Sequence, residues 1–550
     1  MPGATDQTLR PFLWRAERLY PETEIVSRGH DGLTRYTYSE YSSRVKQLAS
    51  ALRATGVTAG DRVATLCWNH HRHFELYFAV TSMGAQLHTI NPLLPTDHIS
   101  HIIDDAGDRV VFVDPSLVET VTEALTATET DTITQFVVMD DSASASALDP
   151  IEDYESYLDA HESAFEWPAL EETAPAGMCY TSGTTGKPKG VEYTHQMLWS
   201  HTMATQSPQG IPIDDDDVVL PVVPMFHVNA WGMPFSATAG GAKQVFPGPA
   251  PEPAELGSLI ESEGVTIAAG VPTVWLGLKE YMTHTAVDLS TLERVVIGGS
   301  AAPESMIDWF DSHGVEVLHA WGMTEMAPIG TVSHAKAGLE DASAAQRRAK
   351  RAKQGLAVPG LEFRVIDDNG DEVPWDGEQF GELWVRGPWV TTEYFANESA
   401  TAETFEDGWL KTGDVVTVDE DGYLEIVDRI KDVIKSGGEW ISSVELENAI
   451  MGHDGVEEAT VVGVGDDKWQ ERPIAFVVAD DSASRDELTA ELEASLTEQF
   501  PKWWVPDAFE FIDAVPKTAT GKFAKRVLRE QYDSTDQFDT SPSAKAPPEE

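Results

Sequence analysis

Residues 180–190 read Tyr-Thr-Ser-Gly-Thr-Thr-Gly-Lys-Pro-Lys-Gly, and this stretch is the most informative in the chain. Its glycines let the backbone approach a ligand closely, and its hydroxyl and ammonium groups can surround that ligand. Such a loop suits the phosphates of a nucleoside triphosphate. It is not a Walker A loop, because the glycine spacing differs and Pro188 follows the lysine. A plain surface loop is the alternative, but such a loop would not be expected to concentrate these residue types.

Short apolar runs alternate with helical patterns over most of the chain on both sides of this loop. Thr37 and Glu40 are spaced as a capping box, and a helical repeat of apolar residues follows them. Buried strands are predicted at 62–68, 110–114, 135–140, 265–271 and 292–297. This alternation predicts an α/β fold of stacked layers with largely parallel sheets.

From about residue 362 the pattern changes to strands and hairpins with fewer helices. Strand patterns at 362–367 and 382–386 precede a hairpin over 414–427, and a small α+β unit comes next. We therefore expect a large N-terminal domain at 1–427 with a β-rich subdomain and a small C-terminal domain at 428–530. The polar segment 531–550 is predicted to be a disordered tail.

The charge of the chain is extreme. The 550 residues include 92 acidic and 38 basic side chains, which gives a formal net charge of −54 at pH 7. Nucleic acid and anionic membrane surfaces are therefore not expected as partners, because clustered Lys and Arg bind them. Self-repulsion at this charge is strong in dilute buffer and is screened by molar salt. We therefore expect a halophilic, cytoplasmic protein.

The remaining composition is typical of a protein without disulfides or membrane spans. Cys67 and Cys179 are too few for a disulfide framework, and both lie in apolar runs typical of a core. The N-terminus lacks a basic segment followed by an apolar stretch, so no signal peptide is predicted. The uncharged run 218–242 contains His227 and three prolines, and it is predicted to be buried near a site rather than to span a membrane.

Further motifs follow the glycine-rich loop. They are Pro224-Met-Phe-His-Val-Asn-Ala-Trp231, Gly298-Gly-Ser-Ala-Ala-Pro303, Ala320-Trp-Gly-Met-Thr-Glu325, Trp409-Leu-Lys-Thr-Gly-Asp414, Asp428-Arg-Ile-Lys431 and Pro516-Lys-Thr-Ala-Thr-Gly-Lys522. In this order, the set resembles the motifs of the acyl-adenylate-forming superfamily, which includes acyl-CoA synthetases, peptide-synthetase adenylation domains and beetle luciferases. The resemblance extends over roughly residues 30 to 530 and is specific as a set.

The resemblance implies that a carboxylate attacks the α-phosphorus of ATP and forms an acyl-adenylate. Positioned cations, hydroxyls and Mg²⁺ would offset the repulsion between these anions. The implied ATP and AMP contacts are Thr181, Ser182, Gly183, Thr184, Thr185, Gly186, Lys187, Gly299, Ser300, Ala301, Trp321, Gly322, Thr324, Asp414, Arg429, Lys435 and Trp440.

Several of these residues have separate implied roles. Thr324 would bind the α-phosphate, and Thr181 and Glu325 would hold Mg²⁺. Trp321, where most relatives have Tyr, would stack on adenine, and Asp414 would bind the ribose hydroxyls with help from Arg429. The implied catalytic residues are Thr324, Glu325, His227 and Lys522, of which Lys522 would bridge the carboxylate and the α-phosphate.

A second half-reaction with coenzyme A is also implied. The mobile C-terminal domain would rotate about a hinge at Lys431, which would bring Ser436, Gly437, Gly438 and Glu439 to the thiol channel. The implied acyl pocket consists of His227, Val228, Trp231 and Gly298, with Trp231 as a gate. Runs 227–231 and 270–275 most resemble medium- and long-chain fatty-acyl-CoA ligases, which implies a ligase that releases AMP and pyrophosphate.

Alternatives stay open for the acid and the acceptor. The acid could instead be short, branched or aromatic, and the acceptor could be a separate carrier protein or, as in luciferases, oxygen. Long-chain relatives are homodimers, so the resemblance also implies a homodimer.

Three groups of residues need a separate interpretation. Seven of the 17 lysines lie in motifs where phosphates would bind, including Lys517 and Lys525. His70, His71 and His73 are predicted to lie on an amphipathic surface helix rather than to bind metal, because no cysteine or acidic partner is evident. The basic run 347–353 is interpreted as a solvated helix face, with CoA phosphates or an acidic partner subunit as alternatives.

Overall fold

The computed structural model describes residues 6–29, 32–128, 130–140, 148–181, 187–339, 342–436, 439–453, 455–466, 468–479, 485–517 and 523–534. The helices are α1 (Arg10–Leu19), α2 (Tyr38–Ala54), α3 (His71–Ser82), α4 (Thr96–Ala106), α5 (Val118–Leu125), α6 (Tyr154–Asp159), α7 (His195–Thr205), α8 (Val228–Trp231), α9 (Met233–Gly240), α10 (Pro253–Glu263), α11 (Pro272–Met282), α12 (Glu304–Ser312), α13 (Ala344–Ala352), α14 (Glu398–Thr404), α15 (Ser443–Met451), α16 (Arg485–Gln499) and α17 (Lys525–Ser534).

The strands of the large N-terminal region are β1 (Glu24–Gly29), β2 (Gly32–Thr37), β3 (Arg62–Leu66), β4 (Gln86–Thr89), β5 (Val110–Val113), β6 (Gln135–Val138), β7 (Ile151–Asp153), β8 (Pro175–Tyr180), β9 (Gly190–Thr194), β10 (Val218–Pro221), β11 (Lys243–Phe246), β12 (Ile267–Gly270), β13 (Arg294–Ile297), β14 (Glu316–Gly322), β15 (Ile329–Val332) and β16 (Leu356–Ala357). They form two sheets, in the orders β16-β15-β14-β13-β12-β10-β11-β1-β2 and β7-β6-β5-β3-β4-β8-β9. Inner neighbours pair in parallel, and antiparallel pairs lie toward the edges. The predicted α/β fold with parallel sheets is confirmed.

The β-rich subdomain and the C-terminal domain complete the chain. The subdomain contains β17 (Glu362–Ile366), β18 (Phe380–Arg386), β19 (Phe405–Glu406), β20 (Trp409–Val418) and β21 (Leu424–Arg429), and the C-terminal sheet contains β22 (Ile434–Ser436), β23 (Glu439–Ile441), β24 (Val456–Asp466), β25 (Gln470–Ala479) and β26 (Ala508–Phe511). The predicted hairpin over 414–427 is antiparallel, and it continues through the pair Asp414 and Arg429. The chain therefore passes from the sheet of the β-rich subdomain to the C-terminal sheet at 430–433, a few residues after the expected boundary at 427.

Two sequence interpretations need correction. α3 is not an amphipathic surface helix, because every residue from 73 to 82 is buried. Its polar Glu75 accepts hydrogen bonds from Arg44 at 2.7 Å and from Tyr154 at 2.6 Å, so its burial is compensated. At the other end of the chain, α17 includes residues 531–534, which were assigned to the tail, and residues 535–550 lie outside the described residues.

The predicted local features of the N-terminal region are present. Thr37 and Glu40 form a reciprocal capping box at the start of α2. Cys67 and Cys179 are both buried and unpaired. Among the described residues, no helix is long and apolar enough to cross a membrane.

Candidate active site

A cavity of about 750 Å³ lies at the carboxyl ends of β8, β13 and β14, and the β-rich subdomain closes its other side. This end of a parallel sheet is the usual place for a ligand in α/β proteins. The fold brings to the cavity the predicted residues Thr181, Lys187, His227, Val228, Trp231, Gly298, Gly299, Trp321, Gly322, Thr324, Glu325, Arg429 and Lys431. Residues that lie far apart in the sequence therefore share one site.

A second cavity of about 260 Å³ adjoins the first and is lined by residues of both domains. From the N-terminal domain it includes the predicted Gly299, Ser300, Ala301 and Asp414. From the C-terminal domain it includes Glu447 and Lys525, whose carboxylate and ammonium lie 2.8 Å apart. Burial alone would lower the pKa of Lys525, but Glu447 and Asp428 raise it above its usual value. Lys525 is therefore a structural cation here, contrary to the expectation that it meets a phosphate.

Trp321 is tied to the carboxylate that was expected to bind ribose. The indole Nε1 donates to Asp414 Oδ2 at 2.8 Å, and Arg429 Nε donates to Asp414 Oδ1 at 2.9 Å. Asp414 is 2% exposed, and its negative charge raises the pKa of Arg429. A carboxylate has about four lone-pair sites, so Asp414 can still accept from a ligand. The bond from Trp321 was not foreseen, because its two partners stand in separate motifs 93 residues apart.

Glu325 and Thr324 are fixed by two tyrosines that the sequence analysis did not identify. The Tyr394 hydroxyl donates to Glu325 Oε1 at 2.6 Å, and the Tyr193 hydroxyl donates to the Thr324 carbonyl at 2.6 Å. Burial and the charge of Glu325 raise the pKa of Tyr394, so this hydroxyl keeps its proton and stays a donor. The ammonium of Lys189 lies 4.2 Å from the centre of the Tyr394 ring. No motif of the sequence pointed to these aromatic residues.

The two ends of the glycine-rich loop, at Thr181 and Lys189, are hydrogen-bonded to each other and line the first cavity. Thr181 N donates to the Lys189 carbonyl at 3.0 Å, and Lys189 N donates to Thr181 Oγ1 at 3.1 Å. Lys187 also lines this cavity. The predicted contacts Ser182, Gly183, Thr184, Thr185 and Gly186 lie outside the described residues.

The predicted wall of the acyl pocket has an unusual backbone. The φ angles of Val228, Asn229, Ala230, Trp231 and Gly232 run from 45° to 76°, so α8 is a left-handed turn. This conformation costs about 1–2 kcal/mol for each residue other than glycine. Such a turn persists only where its surroundings over-determine it. A Cβ on Gly298 would lie 3.0 Å from the Ala320 carbonyl oxygen and 3.2 Å from the tip of the Trp231 ring, which explains the glycine there.

Ser436, which was predicted for the CoA side, and Lys435, which was predicted to contact ATP, line neither cavity. Ser436 is fully buried in the C-terminal sheet, where Arg472 Nη1 donates to its hydroxyl at 3.1 Å. Lys435 is exposed, and its backbone N donates to Glu471 at 2.9 Å. Glu439 and Trp440 belong to β23, and their side chains are not described. Gly437, Gly438 and Lys522 lie outside the described residues.

The structure shows what surrounds the histidines at 70, 71 and 73. His70 does have a cysteine and an acid beside it, since Cys67, His70 and Asp114 form the one three-ligand cluster found in the described part of the chain. However, His70 Nδ1 accepts from His73 N at 3.1 Å, which places the proton on Nε2, and Nε2 lies 2.9 Å from Asp114. Both ring nitrogens are therefore used, which disfavours a metal.

The basic run 347–353 meets acids of its own chain. Arg348 pairs with Asp308 and Arg351 with Asp311, both at 2.8 Å, which joins α13 to α12. Lys350 pairs with Asp419 and Asp421, and Lys353 pairs with Asp419 and Glu425, which joins α13 to the β20–β21 hairpin. These ion pairs replace the predicted solvated face. Lys517 similarly pairs with Glu458 at 2.5 Å rather than with a site.

Comparison with known proteins shows the family of the chain. Residues 13–395 match the model of the AMP-binding enzyme family, and residues 445–522 match that of the AMP-binding enzyme C-terminal domain. The chain therefore belongs to the AMP-binding enzyme family, and the resemblance drawn from the motifs is confirmed.

Relatives and structures share nearly the whole chain. A long-chain-fatty-acid–CoA ligase of Thermus thermophilus is 49% identical over 524 residues, which is 95% of each chain. A medium-chain-fatty-acid–CoA ligase of Ectopseudomonas oleovorans is 42% identical over 94% of each chain. The crystal structure of the anthranilate CoA ligase AuaEII with anthranoyl-AMP matches with a TM-score of 0.83 at 25% identity, over 95% of this chain and 97% of that one.

Proposed function

We propose that the protein is an ATP-dependent acid–CoA ligase that activates a fatty carboxylate of medium to long chain. A carboxylate oxygen would bond to the α-phosphorus of ATP as the bond to pyrophosphate breaks, giving an acyl-adenylate. The CoA sulfur would then bond to the acyl carbon as AMP leaves and the thiol proton is released. The observation that carries the proposal is the single cavity that unites Thr181, Lys187, Thr324, Glu325 and Arg429.

The side chains of this cavity suit the adenylation step. Lys187 and Arg429 supply positive charge where anions would meet, and Thr324 supplies a hydroxyl for the α-phosphate. Asp414 would accept from the ribose hydroxyls beside the face of Trp321. Lys522 is proposed, from its motif, to bridge the two reacting groups.

The same cavity fits Mg²⁺, which prefers oxygen ligands. Glu325 is 6% exposed and faces the cavity, and Tyr394 fixes one of its oxygens. Glu325 and Thr181 would hold the ion, and when bound it would neutralise phosphate charge.

The acid would bind beside the turn formed by His227, Val228 and Trp231, where Gly298 also lines the cavity. The buried side chains of Val228 and Trp231 favour an apolar acid, as do the two fatty-acid ligases among the relatives. An aromatic acid is the second candidate, because the structural match AuaEII is an anthranilate ligase. A cytoplasmic location, a homodimer, hinge rotation at Lys431 and adaptation to high salt stay predictions from the sequence.

Product analysis in high KCl tests the proposal. The protein is mixed with Mg²⁺, ATP, CoA and single acids from acetate to stearate, and AMP and thioester are measured by mass spectrometry. We expect CoA-dependent thioester from medium- and long-chain acids, and its loss in Lys522→Ala. Lys517→Ala is the matched control, because it removes a lysine of the same motif that pairs with Glu458. Adenylate without thioester would move the proposal to another acceptor, and thioester from aromatic acids alone would favour the second candidate.

A further inference from the structure

The wall of the acid pocket is preceded by an irregular segment, residues 221–225, which leads from the end of β10 to the left-handed turn at 228–232. Within this segment, Val222 N and Val223 N both donate to the Ala269 carbonyl of β12. Buried peptide groups are paired almost without exception, so the other groups of the segment need partners as well. Three of them are bound by one side chain that follows a strand of the other sheet.

Asn69 is that side chain. Its Nδ2 donates to the Pro221 carbonyl at 2.9 Å and to the Val223 carbonyl at 2.8 Å. Its Oδ1 accepts from Met225 N at 2.7 Å. Asn69 is 3% exposed, so all three bonds are buried. A side-chain amide offers two donor hydrogens and one acceptor oxygen, as neighbouring peptide groups would, so Asn69 takes the part of a neighbouring strand beyond the end of β10.

A second group from the same part of the chain holds Met225. The Tyr77 hydroxyl donates to the Met225 carbonyl at 2.6 Å, so the N–H and the carbonyl of this residue are both bound by side chains. Burial raises the pKa of Tyr77, so the hydroxyl keeps its proton and stays a donor. Tyr77 lies on α3, and Asn69 lies between β3 and α3, so both anchors come from one strand–helix unit.

The anchors and the wall are attached to different sheets. β3 lies in the sheet that also contains β8 and β9, which flank the glycine-rich loop, whereas β10 lies in the other large sheet. The segment 221–225 ends two residues before His227, the first wall residue that lines the cavity. Asn69 itself lines neither cavity, so it acts through other groups. It therefore couples the place of the wall to the place of the glycine-rich loop.

We propose that Asn69 is a positioning residue for the acid pocket, which fixes the segment 221–225 and thereby the place of His227 and Trp231 relative to the glycine-rich loop. This inference deepens the proposed function and relies on it only for the statement that the wall at 227–231 contacts the acid. The left-handed turn is costly at each residue other than glycine, so it keeps its shape only if the backbone that enters it is fixed. Loss of the amide would leave one buried N–H and two buried carbonyls without this partner.

The first test does not depend on activity. Hydrogen exchange of the peptide that covers residues 222–231 is measured by mass spectrometry in the natural protein and in three variants. We expect exchange to be about tenfold faster in Asn69→Ala, and about threefold faster in Asn69→Asp, which keeps the acceptor for Met225 N but no longer donates to both carbonyls. Tyr77→Phe, which loses one bond to Met225, should also be about threefold faster.

The matched control for this exchange experiment is Gln244→Ala. Gln244 also has a fully buried side-chain amide, but its Nε2 donates to Tyr38 and Thr238 rather than to the segment 221–225. We expect exchange of the peptide in this control to stay within about twofold of the natural protein. Unchanged exchange in Asn69→Ala would overturn the proposal, as would unchanged exchange in both Asn69→Asp and Tyr77→Phe if the alanine variant does not fold.

The second test separates positioning from general stability. For Asn69→Ala we expect KM for the acid to rise about tenfold and the preferred chain length to shift, while KM for ATP changes less than about twofold. Tyr77→Phe should shift KM for the acid in the same direction by about threefold, and Gln244→Ala should leave it unchanged. Equal falls in activity with all acids, with KM for the acid unchanged, would mean a merely structural role and would refute the proposal. If the natural protein forms no adenylate from any acid, the proposed function fails, and the exchange experiment still decides whether Asn69 holds the wall.

Discussion

Replacing Trp321 by phenylalanine separates two roles of this side chain, stacking and hydrogen bonding. The phenyl ring keeps an aromatic face toward the cavity, but it lacks the N–H that donates to Asp414 at 2.8 Å. Of the two bonds that Asp414 accepts from Trp321 and Arg429, only the one from Arg429 then remains, and the Arg429 side chain is 43% exposed. The carboxylate that is proposed to bind ribose therefore loses its better-buried support.

The size of the expected rise in KM for ATP follows from the burial of Trp321 and Asp414. Trp321 is 7% exposed and Asp414 is 2% exposed, so the lost bond is a buried one to a charged acceptor. Such a bond contributes about 1.5–3 kcal/mol. Since each 1.4 kcal/mol is a factor of about ten, we expect KM for ATP to rise about 10- to 100-fold in Trp321→Phe. Trp321→Ala should lose the stacking as well, worth about another 0.5–1.5 kcal/mol.

The assay is the initial rate of AMP formation at a saturating acid, with ATP varied. Trp384→Phe is the matched control, because its indole Nε1 also donates to a carboxylate at 2.8 Å, that of Glu382, and its burial is similar at 8% exposed. We expect this control to lose comparable stability but to keep KM for ATP within about threefold. An unchanged KM for ATP in Trp321→Phe, together with a raised one in Trp321→Ala, would show that stacking alone matters and would refute the reasoning.

Three further predictions concern other parts of the molecule. Tyr394→Phe removes the 2.6 Å bond to Glu325, so the Mg²⁺ concentration for half-maximal AMP formation should rise about tenfold, and an unchanged Mg²⁺ titration would contradict this. Burial lowers the pKa of His201 to about 3 from 6.5, so below pH 6.5 the unfolded chain binds a proton that the folded one does not, and His201 destabilises the fold as the pH falls. The difference in free energy of unfolding between pH 7.5 and pH 5, measured with urea, should therefore shrink by about 2 kcal/mol in His201→Gln, and an equal pH dependence would argue against it. The midpoint temperature of thermal unfolding should increase when KCl is raised from about 0.1 M to about 2 M, because salt screens the net charge of −54. A midpoint temperature that does not change with KCl would exclude halophilic adaptation.

The fold was largely predictable because its local signals agree with its architecture. The strands predicted at 110–114, 135–140 and 292–297 lie within one or two residues of β5, β6 and β13. Such short apolar runs are distinguished from buried helix segments by their length and their β-branched residues. α3 was mispredicted because Glu75 and His73 look solvent-facing in sequence, whereas partners from distant elements compensate their burial.

Site residues that belong to a sequence motif could be predicted, whereas residues that reach the site only through tertiary contacts could not. Thr324, Glu325 and Asp414 stand in recognisable motifs, and the structure brings them to adjoining cavities. Tyr394 and Tyr193 belong to no motif that the sequence analysis identified, and their partners Glu325 and Thr324 lie 69 and 131 residues away along the chain. Only the fold shows that they touch the site.

The ion pairs of α13 affect which part of the molecule should unfold first when salt is withdrawn. Lys350 and Lys353 offset two of the negative charges among Asp419, Asp421 and Glu425, so this hairpin depends less on dissolved cations than an acidic surface without such partners. The same hairpin ends at 429, immediately before the chain passes to the C-terminal domain. When salt is withdrawn, the acidic surface without lysines or arginines should loosen first, while the strand that anchors the small domain stays folded.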